Sequence, residues 1–265
     1  MTEKITTAQE AVKKIFENLN LWRHLPKYQL ERRADMFFGL YVKDIVENHF
    51  NIPEKLSEII IPEFPLKKDG AISDVKLIWK AANGSNLNSV LSAPKDNQNP
   101  ELRSVNVDYA LFAKDGKTVY FVELKTEMDS INKQQIEYLA KARESNFNRL
   151  CEDIEKIKQG TKKLEKYECL QSLIKGIKTA NKIEFKDDVE IKIVYIQPRA
   201  FTKSIQMPYK MPGEKPCSPF EYIYFSDICS WLEKQKGKFP KLFSKHLDQW
   251  KNKAGSTGLT TPSAQ

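Results

Sequence analysis

The sequence predicts an α/β (α+β) fold, a mixed central β-sheet that carries a β-hairpin and is flanked by helices. Three observations predict it. Residues 105–113 and 118–126 are rich in β-branched and aromatic side chains and enclose Lys114-Asp115-Gly116-Lys117, a strong short-range hairpin signal. Stretches with apolar residues at helical spacing precede and follow this hairpin, at 7–21, 27–50 and 130–159. A strand-like run at 189–197 follows the later helices, so helix lies between two strands as in a βαβ crossover. That strand is expected to run parallel to 118–126.

The elements follow in order. At 7–21 the apolar positions are Ala11, Val12, Ile15, Phe16 and Leu19, with Thr6 or Thr7 as cap and Glu10 completing a capping box on Thr7. His24-Leu25-Pro26 ends this pattern, and a second helix is expected over 27–50. Its stripe, from Leu30 and Ala34 through Phe37 and Phe38 to Ile45 and Val46, is wide enough to be buried. A strand is expected at 58–67, where Pro62 and Pro65 demand an edge, an end or a bulge. Another is expected at 74–81, followed by a polar loop or insertion at 83–100. After the hairpin come one helix over 130–159, a break at Gly160-Thr161 and a helix over 161–179. Beyond the strand at 189–197, a proline-rich loop leads to a short aromatic strand at 220–225. Ser226 or Asp227 caps a helix to 236, and Pro240 opens a last helix to 250. The chain divides into an N-terminal helix (1–26), a core (27–200) with its insertion, a C-terminal strand and helices packed on that core (201–250), and a disordered tail (251–265).

Composition narrows the function. A net charge of +8 suits a polyanionic partner, because neutralising phosphates supplies the sequence-independent part of nucleic-acid affinity. The alternative is a lysine-rich host composition. No apolar run reaches membrane-spanning length and the first residues lack an apolar signal region, so no membrane association and a cytoplasmic location are expected. Cys151, Cys169, Cys217 and Cys229 lie far apart without a zinc spacing and read as free thiols in a reducing compartment.

The hairpin carries the candidate chemistry. If Asp115-Gly116 forms a two-residue turn, Lys114 opposes Lys117 and, in the same register, Asp108 opposes Glu123. Cross-strand neighbours have Cβ atoms about 4.5–5.5 Å apart, and opposed like charges are destabilising. Lys125, two residues beyond Glu123, projects from the same face. A hard cation between the carboxylates would relieve the repulsion, and oxygen is the ligand Mg²⁺ takes. Glu190-Ile191-Lys192 repeats the Glu-x-Lys pattern, but with no opposed aspartate it reads as a solvated strand start. Glu63 alternates with Phe64 and is placed to face the hairpin's acids.

At Asp108 and Glu123-Leu124-Lys125 the chain resembles the PD-(D/E)xK, or restriction-endonuclease-like, nuclease superfamily, over about 28–197, with Val107 where the family usually has proline. The resemblance implies a metal-dependent nuclease in which Asp108, Glu123 and the Leu124 carbonyl hold Mg²⁺ or Mn²⁺. Lys125 would orient the attacking water or stabilise charge on the phosphate. The helix before the hairpin often donates a further acid, for which Glu31 or Glu47 qualifies; a solvated ion-pair face is the alternative for the acids of 27–50. Gln134 and Tyr138, four apart, are similar to the Gln-x-x-x-Tyr signature of the RecB and lambda-exonuclease branch. That likeness implies a catalytic Gln134 that orients the lysine or the water, and a Tyr138 that supports it or contacts DNA. Lys133, Lys141 and Arg143 would hold the nucleic-acid backbone. The partner is nucleic acid, DNA before RNA, and a homodimer is compatible with all of this. The rival reading is a non-catalytic nucleic-acid-binding or protein-interaction module on the same fold.

Overall fold

The computed structural model describes residues 7–23, 29–53, 55–67, 104–128, 133–180, 183, 185, 189–200 and 220–251, the side chains of Lys133, Gln134 and Ala180 excepted. The strand expected at 74–81, the insertion at 83–100, the loop at 201–219 and the tail beyond Lys251 lie outside the described residues. The described part is a mixed α/β structure around one five-stranded sheet in the order β1-β2-β3-β4-β5. The strands are β1 (Ile61–Lys67), β2 (Ser104–Phe112), β3 (Thr118–Leu124), β4 (Glu190–Gln197) and β5 (Glu221–Tyr224). The helices are α1 (Ala8–Trp22), α2 (Leu30–Gly39), α3 (Val42–Phe50), α4 (Lys133–Glu144), α5 (Phe147–Gly160), α6 (Leu164–Ala180), α7 (Phe225–Leu232) and α8 (Lys238–Trp250).

β1, β2 and β3 are antiparallel neighbours, while β4 and β5 continue the sheet in parallel. The alternation of β3 explains why helices cover both faces. Tyr120, Val122 and Leu124 meet Phe38, Val42, Phe225 and Phe243 on one side. Val119 and Phe121 meet Ile136, Leu139, Phe147 and Ile177 on the other. Each set would leave a large apolar surface in water if its helices were absent.

Two expected helices are each split in two. The stretch 27–50 breaks after Gly39, the poorest helix former in it, and restarts at Val42. The stretch 130–159 breaks at Ser145, where Asn146 caps α5 by accepting the Arg149 N–H at 2.9 Å. Such a side chain satisfies an otherwise orphan amide and favours a new helix start. The capping box on α1 forms as expected, with the Glu10 N–H donating to Thr7 and the Thr7 N–H to Glu10.

The hairpin keeps the expected register by a different loop. Tyr109 pairs with Val122 and Phe112 with Val119, as the two-residue turn required. Yet the Ala113 N–H bonds the Thr118 carbonyl at 3.0 Å, so 114–117 forms a four-residue loop. The Gly116 N–H closes a tight turn onto Ala113 O, and Gly116 alone in the loop has positive φ, 71°. Lengthening the loop by one residue on each side leaves the pairing unchanged.

β1 behaves as its prolines suggested. Among the described strands it lies at the edge of the sheet, and its ladder with β2 skips the pair Glu63 and Asp108. Glu63 has φ of 52°, in the left-handed region. In consequence Ile61 and Phe64, three residues apart, enter the same core cluster. The C-terminal elements belong to the same sheet and core as the rest. α1 joins them through Phe16, whose ring lies 4.5 Å from that of Phe37 and 4.8 Å from that of His246. Among the described residues no helix is long and apolar enough to cross a membrane.

Candidate active site

The β2–β3 ladder ends at Tyr109 and Val122, so Asp108 and Glu123 are the next residues out, at the open end of the hairpin. Freed from the ladder, Asp108 turns its carboxylate back: Oδ2 accepts the Leu124 N–H at 2.7 Å. Glu123 is wholly buried. Its Oε2 accepts from Gln135 Nε2 at 2.6 Å and from the Lys125 ammonium at 3.3 Å. Its Oε1 has no hydrogen-bond partner among the described residues. Lys125 extends the parallel ladder by donating its N–H to Ile196 O at 2.8 Å, and its ammonium lies 3.8 Å from Glu31 Oε1. Glu31 also accepts the Thr126 N–H.

The two faces of the sheet thus contribute to one cluster. α2 brings Glu31 from one side and α4 brings Gln135 from the other, with Asp108, Glu123 and Lys125 at the strand ends between them. Asp35, one turn after Glu31, accepts from the Tyr109 hydroxyl at the base of the cluster. Glu63 lies opposite Asp108 on β1 and accepts from Asn106 Nδ2 at 3.0 Å.

Negative charge exceeds positive charge here, and the titration of the groups reflects it. Burial pushes the Glu123 carboxyl well above the usual range, and Asp108 adds to this. Burial also raises Asp108, against the Leu124 N–H bond and Lys125, with Glu63 and Asp35 adding to the rise. Glu31 is raised by burial and by Asp108, against Lys125 and the Thr126 amide. Burial alone would lower Lys125, but Glu123, Glu31 and Asp108 together hold it above its ordinary value. Among the described residues, three acids raised chiefly by burial thus share the Lys125 ammonium.

Not every expected residue arrives. Glu47 does not reach the cluster: it accepts the Leu56 N–H at 2.7 Å and pairs with Lys43, fastening α3 to the chain before β1. Glu31, by contrast, faces the sheet rather than solvent, because Ala34 and Phe38 bury that side of α2. The glutamine on Glu123 is Gln135; the side chain of Gln134 lies outside the described residues. Gln135 was legible as a residue four before the buried Leu139, on the sheet-facing side of α4. Tyr138 is buried, so its ring supports α4 from within and offers no surface to DNA. Lys141 and Arg143 are exposed on α4, and the side chain of Lys133 lies outside the described residues. Glu190 and Lys192 pair with each other at 3.6 Å at the start of β4, away from the cluster.

The donor set fits a hydrated hard cation better than a cage of protein ligands. Among the described residues no three acid, histidine or cysteine side chains stand close enough to hold a metal by themselves. Asp108 and Glu123, however, each commit one oxygen to a donor, and among the described residues the other oxygen of Glu123 is buried without a partner. Mg²⁺ is usually bound through one or two carboxylates and retains several waters. Leu124 enters through its N–H, which fixes Asp108. The chain matches no protein-family model, and no curated protein or solved structure matches it significantly.

Proposed function

We propose that the chain is a metal-dependent nuclease with a restriction-endonuclease-like core, hydrolysing phosphodiester bonds of nucleic acid, with DNA the expected substrate. The observation that carries the reading is the buried Glu123, one oxygen on Lys125 and Gln135 and the other without a partner among the described residues, beside Asp108 at the hairpin's end. The order of elements supports it too: an antiparallel hairpin, helices, then a strand parallel to the hairpin's second strand.

Asp108 and Glu123 would hold Mg²⁺ or Mn²⁺ by their uncommitted oxygens. When bound, such an ion supplies Lewis acidity and a water that ionises near neutral pH. The chain's own groups do the rest. Gln135 fixes the rotamer of Glu123 by donating to Oε2. Glu31 holds the Lys125 ammonium from the opposite side, leaving a positive charge poised beside Glu123. That charge is placed to meet negative charge developing on a phosphate, and a preorganised donor in a dry site is worth far more than in water. Asp108, pinned by the Leu124 amide, cannot swing away from the strand end.

The test is hydrolysis of end-labelled single- and double-stranded DNA in Mg²⁺ or Mn²⁺. Wild type should cut and EDTA should stop it. Lys125→Ala should lower turnover by about a hundredfold or more, as for loss of a transition-state charge partner. Wild-type protein that binds nucleic acid but cleaves none in either metal would reject the enzyme and leave the binding module.

A further inference from the structure

Beside the acid cluster lies a cleft of about 660 Å³ between β1 and the first turns of α6. Its two walls differ. On one, Lys163 and Lys166 are exposed and enter no ion pair among the described residues. The Lys163 N–H donates to Thr161 Oγ1 at 3.2 Å, which holds the turn that presents these lysines. Toward the floor, Tyr167 and Leu170 pack against the core while still facing the cleft. The other wall is β1, with Glu63 and Asn106 bonded to each other. Because Pro62 pairs with Tyr109 and Phe64 with Val107, Glu63 stands opposite Asp108. One wall of the cleft therefore stands level with Asp108 along the strands.

The chemistry of this lining selects its occupant. Cations along one wall with an aromatic ring and aliphatic carbons beneath them match a chain of phosphates whose bases are exposed. A duplex keeps its base faces stacked and would leave Tyr167 and Leu170 unused. A peptide adding to β1 as a further strand is disfavoured, since Pro62 and Pro65 remove two N–H donors from that edge. We infer that the cleft between β1 and α6 receives a single-stranded polynucleotide, with Lys163 and Lys166 on its phosphates and Tyr167 against a base, and delivers it to Asp108 and Glu123. The inference rests on the nuclease reading for the direction of delivery, but the cleft's binding role has its own readout.

Cys169 lines the same cleft and is exposed, so it reports occupancy without mutation. The experiment measures binding of a labelled single-stranded DNA or RNA oligonucleotide in EDTA, and the rate of Cys169 alkylation followed by peptide mass spectrometry, with and without the oligonucleotide. Single strand should slow alkylation of Cys169 at least severalfold, and a duplex of the same length should not. In the double variant Lys163→Gln, Lys166→Gln, the log–log salt slope of binding should shrink by about 1.4, at roughly 0.7 for each phosphate no longer neutralised. These lysines are exposed, so melting temperature should be unchanged and serves as the folding control. An unchanged slope with unprotected Cys169 overturns the cleft assignment while leaving metal-dependent cleavage intact as a separate result. Protection by duplex rather than by single strand also overturns it. Protection by single strand in a protein that cleaves nothing upholds the cleft and rejects the nuclease reading.

Discussion

Lys125 is the residue on which the cluster balances. Its ammonium stands between Glu123 and Glu31, within the electrostatic reach of Asp108. Removing one partner of a buried pair leaves an uncompensated charge, which costs about 3–5 kcal/mol. Lys125→Ala should therefore destabilise the protein by up to that amount in urea denaturation at pH 7 with EDTA, and by clearly less once Mn²⁺ is added. Glu123→Gln should act oppositely, because it removes one acid from an over-acidic cluster. The pH dependence carries a definite sign. The folded protein raises the Glu123 carboxyl, so its contribution to stability is fully present below the ordinary value of about 4.3 and is lost as pH rises through the raised value. Comparing the two proteins by denaturation from pH 4 to 8 in EDTA, Glu123→Gln should gain on wild type as pH increases. A constant difference across that range would mean that Glu123 does not titrate in the folded cluster.

At the scale of elements, the hairpin and its neighbours set where these residues stand. Gly116 occupies a left-handed position in the loop, which costs an L side chain about 1–2 kcal/mol. Gly116→Ala should lower stability by that amount without altering metal binding, since the register is set by the pairs beyond the loop. This register was legible in the sequence because a loop of two or four residues gives the same pairing. The apposition of Asp108 and Glu123 followed from it, and so did the parallel course of β4, since a helical crossover lies between. What was not legible depended on contacts distant in sequence. Pro62 and Pro65 marked an edge, an end or a bulge without saying which, and the left-handed turn at Glu63 goes with the loss of Asp108 from the β1 ladder. Gln134 and Gln135 differ by one helical step, too little for a motif to separate before the direction of α4 is known. Glu31 read equally well as a solvated acid until α2 was seen to lie against the sheet. The breaks at Gly39 and Asn146 had local markers, a poor helix former and a capping side chain, which a long apolar stripe obscured.

Over the whole molecule, the two ends of the described chain hold each other. Asn20 on α1 donates to His246 Nδ1 at 2.7 Å and accepts from Trp250 Nε1, both on α8. Arg23 donates to the last carbonyls of α8 at Gln249 and Trp250. Trp250 is fully buried against Phe16 and Phe243. Trp250→Ala should cost about 3–5 kcal/mol, as for other large aromatic truncations, and should loosen α1 as well as α8. Hydrogen exchange would show this as faster exchange in both helices; confinement to α8 would contradict the clasp. The acids of the cluster take no part in the Asn20–His246–Trp250 contacts, so the substitution should leave metal affinity nearly unchanged.

On the proposed reading, Asp108 and Glu123 form a cation site that Lys125 completes but does not create. Calorimetric titration of Mn²⁺ into wild type, Glu123→Gln and Lys125→Ala at pH 7.5, roughly a unit above the ordinary histidine range, tests it most directly. One ion should bind wild type, and more tightly as pH rises, because a ligating carboxyl must be ionised and burial raises both of these. Lys125→Ala should still bind, and Glu123→Gln should lose most of the heat. Equal binding by wild type and Glu123→Gln, or none by wild type, would mean that these two carboxylates hold no cation.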